Sequence, residues 1–127
     1  MGQALLVTIN VPLGANIVEA LDHSDLAISV ALWAYLSEYE DWRLVLASRK
    51  LDDANPLKAY GLVDAALQAA GISYQQTPTL LILRMSDLFI RDLRRTYGKF
   101  RNVEGMRLDG QLFGDRFIED GIVYRVR

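Results

Sequence analysis

Few side chains in this sequence are of the types that carry catalysis or bind metals. The chain has one histidine, His23, and no cysteine, which excludes disulfides and thiolate–zinc sites. A Ser–His–Asp arrangement would depend on His23 alone, although the pKa of histidine suits acid–base catalysis. His23 lies near the end of a predicted short helix, where the helix C-terminus stabilises a charged imidazolium, and a structural role is favoured. We therefore predict no catalytic residue, no metal site and no cofactor.

Four carboxylates near the C-terminus are the next candidates for chemistry, namely Asp109, Asp115, Glu119 and Asp120. Paired carboxylates serve acid–base catalysis when their surroundings separate their pKa values. Three of the four adjoin a glycine, and aspartate beside glycine is typical of turns. We interpret those three as turn residues and assign no role to Glu119, which lies in a β-prone run.

Arginines are frequent between residues 84 and 107. A helix predicted over residues 86–97 places Arg91, Arg94 and Arg95 on one face, and Lys99 follows that helix. Guanidinium groups pair with phosphates and interleaved aromatic side chains stack on bases, so these four residues are candidate nucleic-acid-binding residues. The alternative is a solvated helix face. An isoelectric point near 5.3 argues against a dedicated nucleic-acid binder.

Aromatic residues are concentrated in a predicted β-hairpin. Two β-prone runs, residues 28–36 and 42–47, flank a polar segment at residues 37–41. With Ser37 opposite Trp42, side chains two residues apart share a face. The opposite face of the hairpin is apolar too, so we expect the hairpin to be central in its sheet or covered by a partner. The aromatic-rich surface comprises Trp33, Tyr35, Trp42, Leu44 and Leu46.

This aromatic surface has two interpretations. Trp33, Tyr35 and Trp42 are candidate ligand-pocket residues, because aromatic side chains line small-molecule sites. Aromatic side chains more often fill cores, and core packing is the favoured interpretation. If the chain's own helices leave one hairpin face uncovered, the exposed apolar patch would indicate a partner, most simply a second copy in a two-fold dimer.

The remaining pattern predicts a single α+β domain over residues 1–127. Helices are predicted at residues 17–23, 56–70 and 86–97, the first begun by Asn16 and the second by Asn55 and Pro56. Further strands are predicted at residues 5–11, at 79–83, and on both sides of a turn near Gly114. The order β-α-β-β-α-β-α-β-β, with about three helices, indicates a mixed or antiparallel sheet.

Composition and charge are those of a small globular domain. The chain has 127 residues, a hydrophobic fraction of 51% and a formal net charge of −2, which suits one domain. Residues 1–76 hold four basic and nine acidic residues, whereas residues 77–127 hold ten and seven, and such a division can mark a partner surface. Because no stretch is apolar enough for a membrane helix and the N-terminus lacks a basic signal-peptide start, we expect a cytoplasmic protein without membrane contact.

Three stretches carry a resemblance to other proteins. They are ALWAY at residues 31–35, WRLVLAS at residues 42–48 and IEDGIVYR at residues 118–125. Together they resemble a loosely defined set of small, uncharacterised bacterial proteins of similar length, over most of the chain from about Asp25 onward. The resemblance implies a single-domain architecture and a bacterial source, and it implies no activity.

The leading functional hypothesis is a non-enzymatic protein-interaction module that self-associates, most simply as a homodimer. It depends on the absence of a catalytic constellation in the sequence and on a hairpin that is apolar on both faces. One alternative is a nucleic-acid-binding or nucleic-acid-processing protein that uses the helix at residues 86–97. A second alternative is a small-molecule-binding protein or enzyme with a pocket at the aromatic surface.

Overall fold

The computed structural model describes residues 9–127. Within this range the helices are α1 (Val11–Asp22), α2 (Arg49–Asp52), α3 (Pro56–Ala69) and α4 (Leu88–Tyr97), with a 3₁₀ turn at Tyr74–Gln76. The strands are β1 (Val30–Leu36), β2 (Asp41–Ala47), β3 (Leu80–Ile82), β4 (Arg107–Phe113) and β5 (Arg116–Val126). The predicted α+β class and element order are confirmed, with the short helix α2 as an addition. The strand predicted at residues 5–11 falls mainly outside the described residues.

Helix α1 begins six residues earlier than predicted. Its cap is Asn10, whose side chain accepts a hydrogen bond from the Leu13 N–H (2.9 Å). Pro12 is tolerated because N–H groups in the first turn have no intrahelical partner. A Cβ on Gly14 would lie 2.2 Å from the Tyr124 hydroxyl oxygen, so glycine permits close contact with β5. The prediction that Asn16 begins this helix was therefore wrong, because residues 11–16 are already helical.

The five described strands form one mixed sheet in the order β3-β2-β1-β5-β4. The central strand β1 is antiparallel to both β2 and β5, and β4 is antiparallel to β5. Strand β3 is parallel to β2. The two edges of this sheet are therefore β3 and β4.

The β1–β2 hairpin is shifted by two residues from the predicted register. Tyr35 lies opposite Trp42, and Trp33 lies opposite Leu44. The connecting loop is shorter than predicted because Asp41 already belongs to β2. A shift of two residues keeps every side chain on its predicted face, since the side-chain period of a strand is two. The aromatic-rich surface is therefore retained.

Both faces of the hairpin are buried beneath the chain's own helices. The expected exclusion of water from both sides is confirmed, and it requires no second copy. Helix α4 covers one face through Phe89, Ile90 and Leu93, which pack with Val30, Leu32, Ala34, Leu36, Val45 and Ala47. Helices α1 and α3 cover the aromatic face through Ile17, Leu21, Val63 and Leu67, which belong to one buried cluster with Trp33, Trp42, Leu44 and Leu46.

Strands β4 and β5 are joined at the predicted turn, where Gly114 has φ of +59°. The other two Asp–Gly pairs were wrongly predicted as turn residues, because both lie within strands. Gly110 has φ of +61°, a left-handed backbone conformation that favours glycine, and it lies in β4 at an unchanged register with β5. Gly121 lies in mid-strand, where a Cβ would come within 2.8 Å of the Trp33 carbonyl oxygen. Glycine therefore permits a left-handed conformation at Gly110 and a close approach of β5 to β1 at Gly121.

The helices are short and capped by polar side chains. As predicted, Asn55 caps α3 by accepting a hydrogen bond from the Lys58 N–H (2.8 Å), and Gly71 follows the helix with φ of +84°. Helix α4 begins at Leu88, two residues later than predicted, with Asp87 as its cap. Among residues 9–127, no helix combines the length and apolarity needed to cross a membrane.

Candidate interaction surfaces

The three candidate pocket residues pack against one another inside the molecule. The Trp33 and Trp42 rings meet edge to face with centroids 6.4 Å apart, and the Tyr35 and Trp42 rings do so at 5.7 Å. Both tryptophans are buried in the cluster beneath α1 and α3, and Tyr35 is half-buried at its margin. The structure thus brings the three together as core packing, with the two tryptophans separated from solvent by the helices and Tyr35 partly accessible.

Tyr124 joins this cluster from β5. Its hydroxyl donates a hydrogen bond to the Val11 carbonyl oxygen (2.6 Å) and so fastens the start of α1 to the sheet. Burial raises the pKa of Tyr124 to about 12, because the ionised phenolate would lose hydration. At neutral pH the hydroxyl is therefore a proton donor in a structural contact.

Three of the four candidate nucleic-acid-binding residues line one groove. This groove, here called the arginine groove, has a volume of about 720 Å³, which is within the size range of small-ligand sites. It runs between the outer side of α4 and the β4–β5 turn, and Lys99 lies outside its lining. The residues that line it are Leu88, Arg91, Asp92, Arg94, Arg95, Gly114 and Asp115.

The three arginines differ in their partners. Arg94 donates from Nε to the Arg127 carbonyl oxygen (2.7 Å), and Arg95 forms an ion pair with Asp92. The Arg91 side chain is exposed, and its guanidinium has no hydrogen bond or ion pair within the described part of the chain. The Asp92 carboxylate also accepts the Gly114 N–H (2.9 Å), and this bond, together with Arg95, lowers the pKa of Asp92. Arg91 is thus the guanidinium most available to an anion.

The carboxylates near the C-terminus lie on strands as well as in the turn. Asp109 and Asp120 are directly opposite each other on β4 and β5. Asp120 is fully buried and accepts hydrogen bonds from Arg107 (2.9 Å) and from the Gly121 N–H (2.9 Å) through the same oxygen. A buried carboxylate requires such a charged partner, so the Arg107–Asp120 pair holds β4 against β5.

Glu119 and His23 have separate structural contacts. The Glu119 carboxylate accepts a hydrogen bond from the Ser37 hydroxyl (3.0 Å), which links β5 to the hairpin loop. His23 is the exposed C-cap of α1, as its predicted place at a helix end indicates. Within residues 9–127, no group of three or more histidine, aspartate or glutamate side chains is arranged to hold a metal ion.

Two large apolar side chains on β4 and β5 are exposed. Leu112 and Phe117, here called the apolar pair, lie directly opposite each other, with 63% and 42% of their surfaces accessible. Their neighbours Phe113 and Ile118 face the core beneath α4, so the apolar pair lies on the other side of the sheet. The sequence patterns considered above did not predict this pair. The available signal was two consecutive apolar residues in each strand, one of which must face away from the core.

A second groove follows the outer edge of β3. This β3-edge groove has a volume of about 630 Å³ and separates the edge strand from α3. No sequence pattern predicted this groove, because its shape depends on how α3 lies beside β3. It is lined by Tyr60, Asp64, Tyr74, Gln75, Thr77, Pro78, Thr79 and Leu80.

These three surfaces lie on separate parts of the molecule. The arginine groove follows the outer side of α4, the β3-edge groove follows one edge of the sheet, and the apolar pair lies near the other edge. Comparison with known proteins found no matching family model, no similar curated protein and no similar solved structure.

Proposed function

We propose that this chain is a non-enzymatic protein-interaction module that self-associates through the apolar pair. The observation that carries the proposal is the exposure of Leu112 and Phe117, which lie side by side on neighbouring strands. Large apolar side chains that cluster on a protein surface are typical of partner contacts. Burying both on association would remove apolar area from water, which favours binding.

The proposed contact differs from the one that the hairpin suggested. Helices α1, α3 and α4 cover both hairpin faces, so the hairpin leaves no apolar face for a partner. The apolar pair instead adjoins the unpaired edge of β4. Arg107 and Asp109, which are exposed, lie two residues apart on that strand. A two-fold axis can bring Arg107 of one copy close to Asp109 of the other, and the reverse, so the surface is suited to contact with itself.

The test is the oligomeric state in solution. Sedimentation velocity at tens of micromolar should show a dimer for the wild-type chain and a monomer for Leu112→Asp, because a carboxylate at the contact would have to be desolvated. The matched control is Leu57→Asp on α3, since Leu57 is 85% exposed and lies away from the pair. A wild-type monomer at this concentration, or a Leu112→Asp variant that still dimerises, would contradict the proposal.

We infer a second candidate function, nucleic-acid binding, from the arginine groove. Its supporting observation is that Arg91, Arg94 and Arg95 line one groove and that the Arg91 guanidinium has no partner among the described residues. Asp92 and Asp115 lie in the same lining and offset part of the positive charge. This candidate therefore ranks below the interaction module.

The salt dependence of nucleic-acid affinity, compared between two triple variants, distinguishes binding in the arginine groove from an effect of net charge. Replacing Arg91, Arg94 and Arg95 together with alanine should weaken binding to a mixed DNA or RNA pool and reduce the slope of log affinity against log salt by roughly three. The control replaces three exposed cations on α2 and α3, namely Arg49, Lys50 and Lys58. Equal loss in both triple variants would point to net charge alone and reject the groove.

A further inference from the structure

The outer edge of β3, on the side away from β2, has backbone N–H and C=O groups that no other described strand hydrogen-bonds. The ladder to β2 is formed by residues on either side of Leu80, with the Leu44 N–H donating to the Thr79 oxygen (2.9 Å) and the Leu83 N–H donating to the Leu46 oxygen (3.0 Å). Because backbone groups alternate in direction along a strand, Leu80 directs its N–H and C=O away from β2. Neither group has a partner among the described residues.

The next backbone N–H that points outward along this edge already has a tyrosine as its hydrogen-bond acceptor. The Ile82 N–H donates to the Tyr60 hydroxyl oxygen (3.0 Å), which comes from α3. Pro78 lines the groove ahead of β3 and has no N–H of its own. The edge is thus closed to hydrogen-bond donation at Ile82 and at Pro78 and open at Leu80. This arrangement limits an added strand to a short stretch centred on Leu80.

The walls of the β3-edge groove supply one charge and two aromatic rings. Tyr60 and Asp64 are four residues apart on α3 and therefore lie on the same side of that helix. Asp64 is the one charged side chain among the described lining residues, and it has no ion pair in the part of the chain described. Tyr74, with 73% of its surface accessible, lies at the groove from the 3₁₀ turn.

The geometry points to this groove as a site for a short, extended, basic segment of another protein. The segment adds a strand outside β3, where its backbone bonds to the Leu80 N–H and C=O. A lysine or arginine of the segment faces Asp64, and an apolar side chain packs against Tyr74. The site is on the opposite edge of the sheet from the apolar pair, so peptide binding can be tested independently of self-association.

A library of phage-displayed random linear hexapeptides, panned against the whole chain, tests this inference. Enriched peptides should carry β-branched residues at alternate positions and at least one lysine or arginine. Synthetic copies, measured by fluorescence anisotropy, should bind Asp64→Asn about threefold to fivefold more weakly than the wild-type chain. Methylating the peptide nitrogen atoms that pair with β3 should weaken binding at least tenfold, and this control leaves the protein unchanged.

Two protein variants complete the design. Leu80→Pro removes the outward N–H while leaving the ladder bonds to β2 in place, and it should abolish binding if thermal melting shows a folded protein. Leu112→Asp, which breaks the proposed self-association, should leave peptide affinity unchanged. Failure to enrich any peptide would overturn the inference. Equal affinity for methylated and unmethylated peptides, or binding lost with Leu112→Asp, would overturn it too.

Discussion

Trp33, Tyr35 and Trp42 show how one set of side chains can suggest either a core or a pocket. Their spacing predicts a shared face, and the structure places them together there. The Trp42 ring centroid lies 6.4 Å from that of Trp33 and 5.7 Å from that of Tyr35. What the spacing cannot reveal is that α1 and α3 lie over them, because helix docking depends on distant residues. Gly14 is an example, since its missing Cβ makes room for Trp33 and Tyr124.

Replacing Trp33 with alanine should lower the free energy of unfolding by about 3–5 kcal/mol, because the large cavity left behind cannot fully collapse. The matched control is Tyr74→Ala, an exposed aromatic whose loss should change stability by no more than about 0.5 kcal/mol. Urea denaturation followed by tryptophan fluorescence and circular dichroism measures both. A small loss for Trp33→Ala would instead support the pocket interpretation.

At the scale of helices and strands, short polar contacts fasten the elements to one another. Arg125 on β5 holds Asp22 at the end of α1 through two bonds of 2.6 and 2.7 Å, and this partner lowers the pKa of Asp22. Asp52 on α2 accepts the Met85 N–H (3.1 Å). The β4–β5 turn is attached to α4 in two ways. The Asp92 carboxylate accepts a hydrogen bond from the Gly114 N–H, and the Gly114 backbone packs closely against the first residues of α4.

Gly114→Ala should destabilise the protein more than Gly105→Ala does. Both glycines have positive φ, +59° and +83°, so both variants incur backbone strain of about 1–2 kcal/mol. A Cβ at Gly114 would also lie 2.6 Å from backbone atoms of Leu88 and Phe89, whereas one at Gly105 meets no atom within 4 Å. The difference in unfolding free energy should be about 1–3 kcal/mol. Equal losses of unfolding free energy in the two variants would show that the turn does not pack closely against α4.

For the molecule as a whole, local signals predicted the elements better than their assembly. Asn55 and Gly71 delimited α3 correctly, because caps and left-handed glycines act within a few residues. The hairpin register was wrong by two residues, since the faces of a strand alone do not distinguish registers that differ by two. The arginine face on α4 was visible from its helical spacing. The Arg107–Asp120 pair, the apolar pair and the β3-edge groove were not, because each depends on contacts between elements distant in sequence.

The central position of β1 has a consequence for how the sheet opens. Both of its backbone edges are bonded, to β2 on one side and to β5 on the other, and helices cover both of its faces. Its amide hydrogens should therefore exchange with solvent only through global unfolding, whereas amides on β3 and β4 exchange through local fraying. Both proposed protein contacts thus involve the least protected strands, which have the freedom to adjust to a partner while the centre of the sheet stays intact.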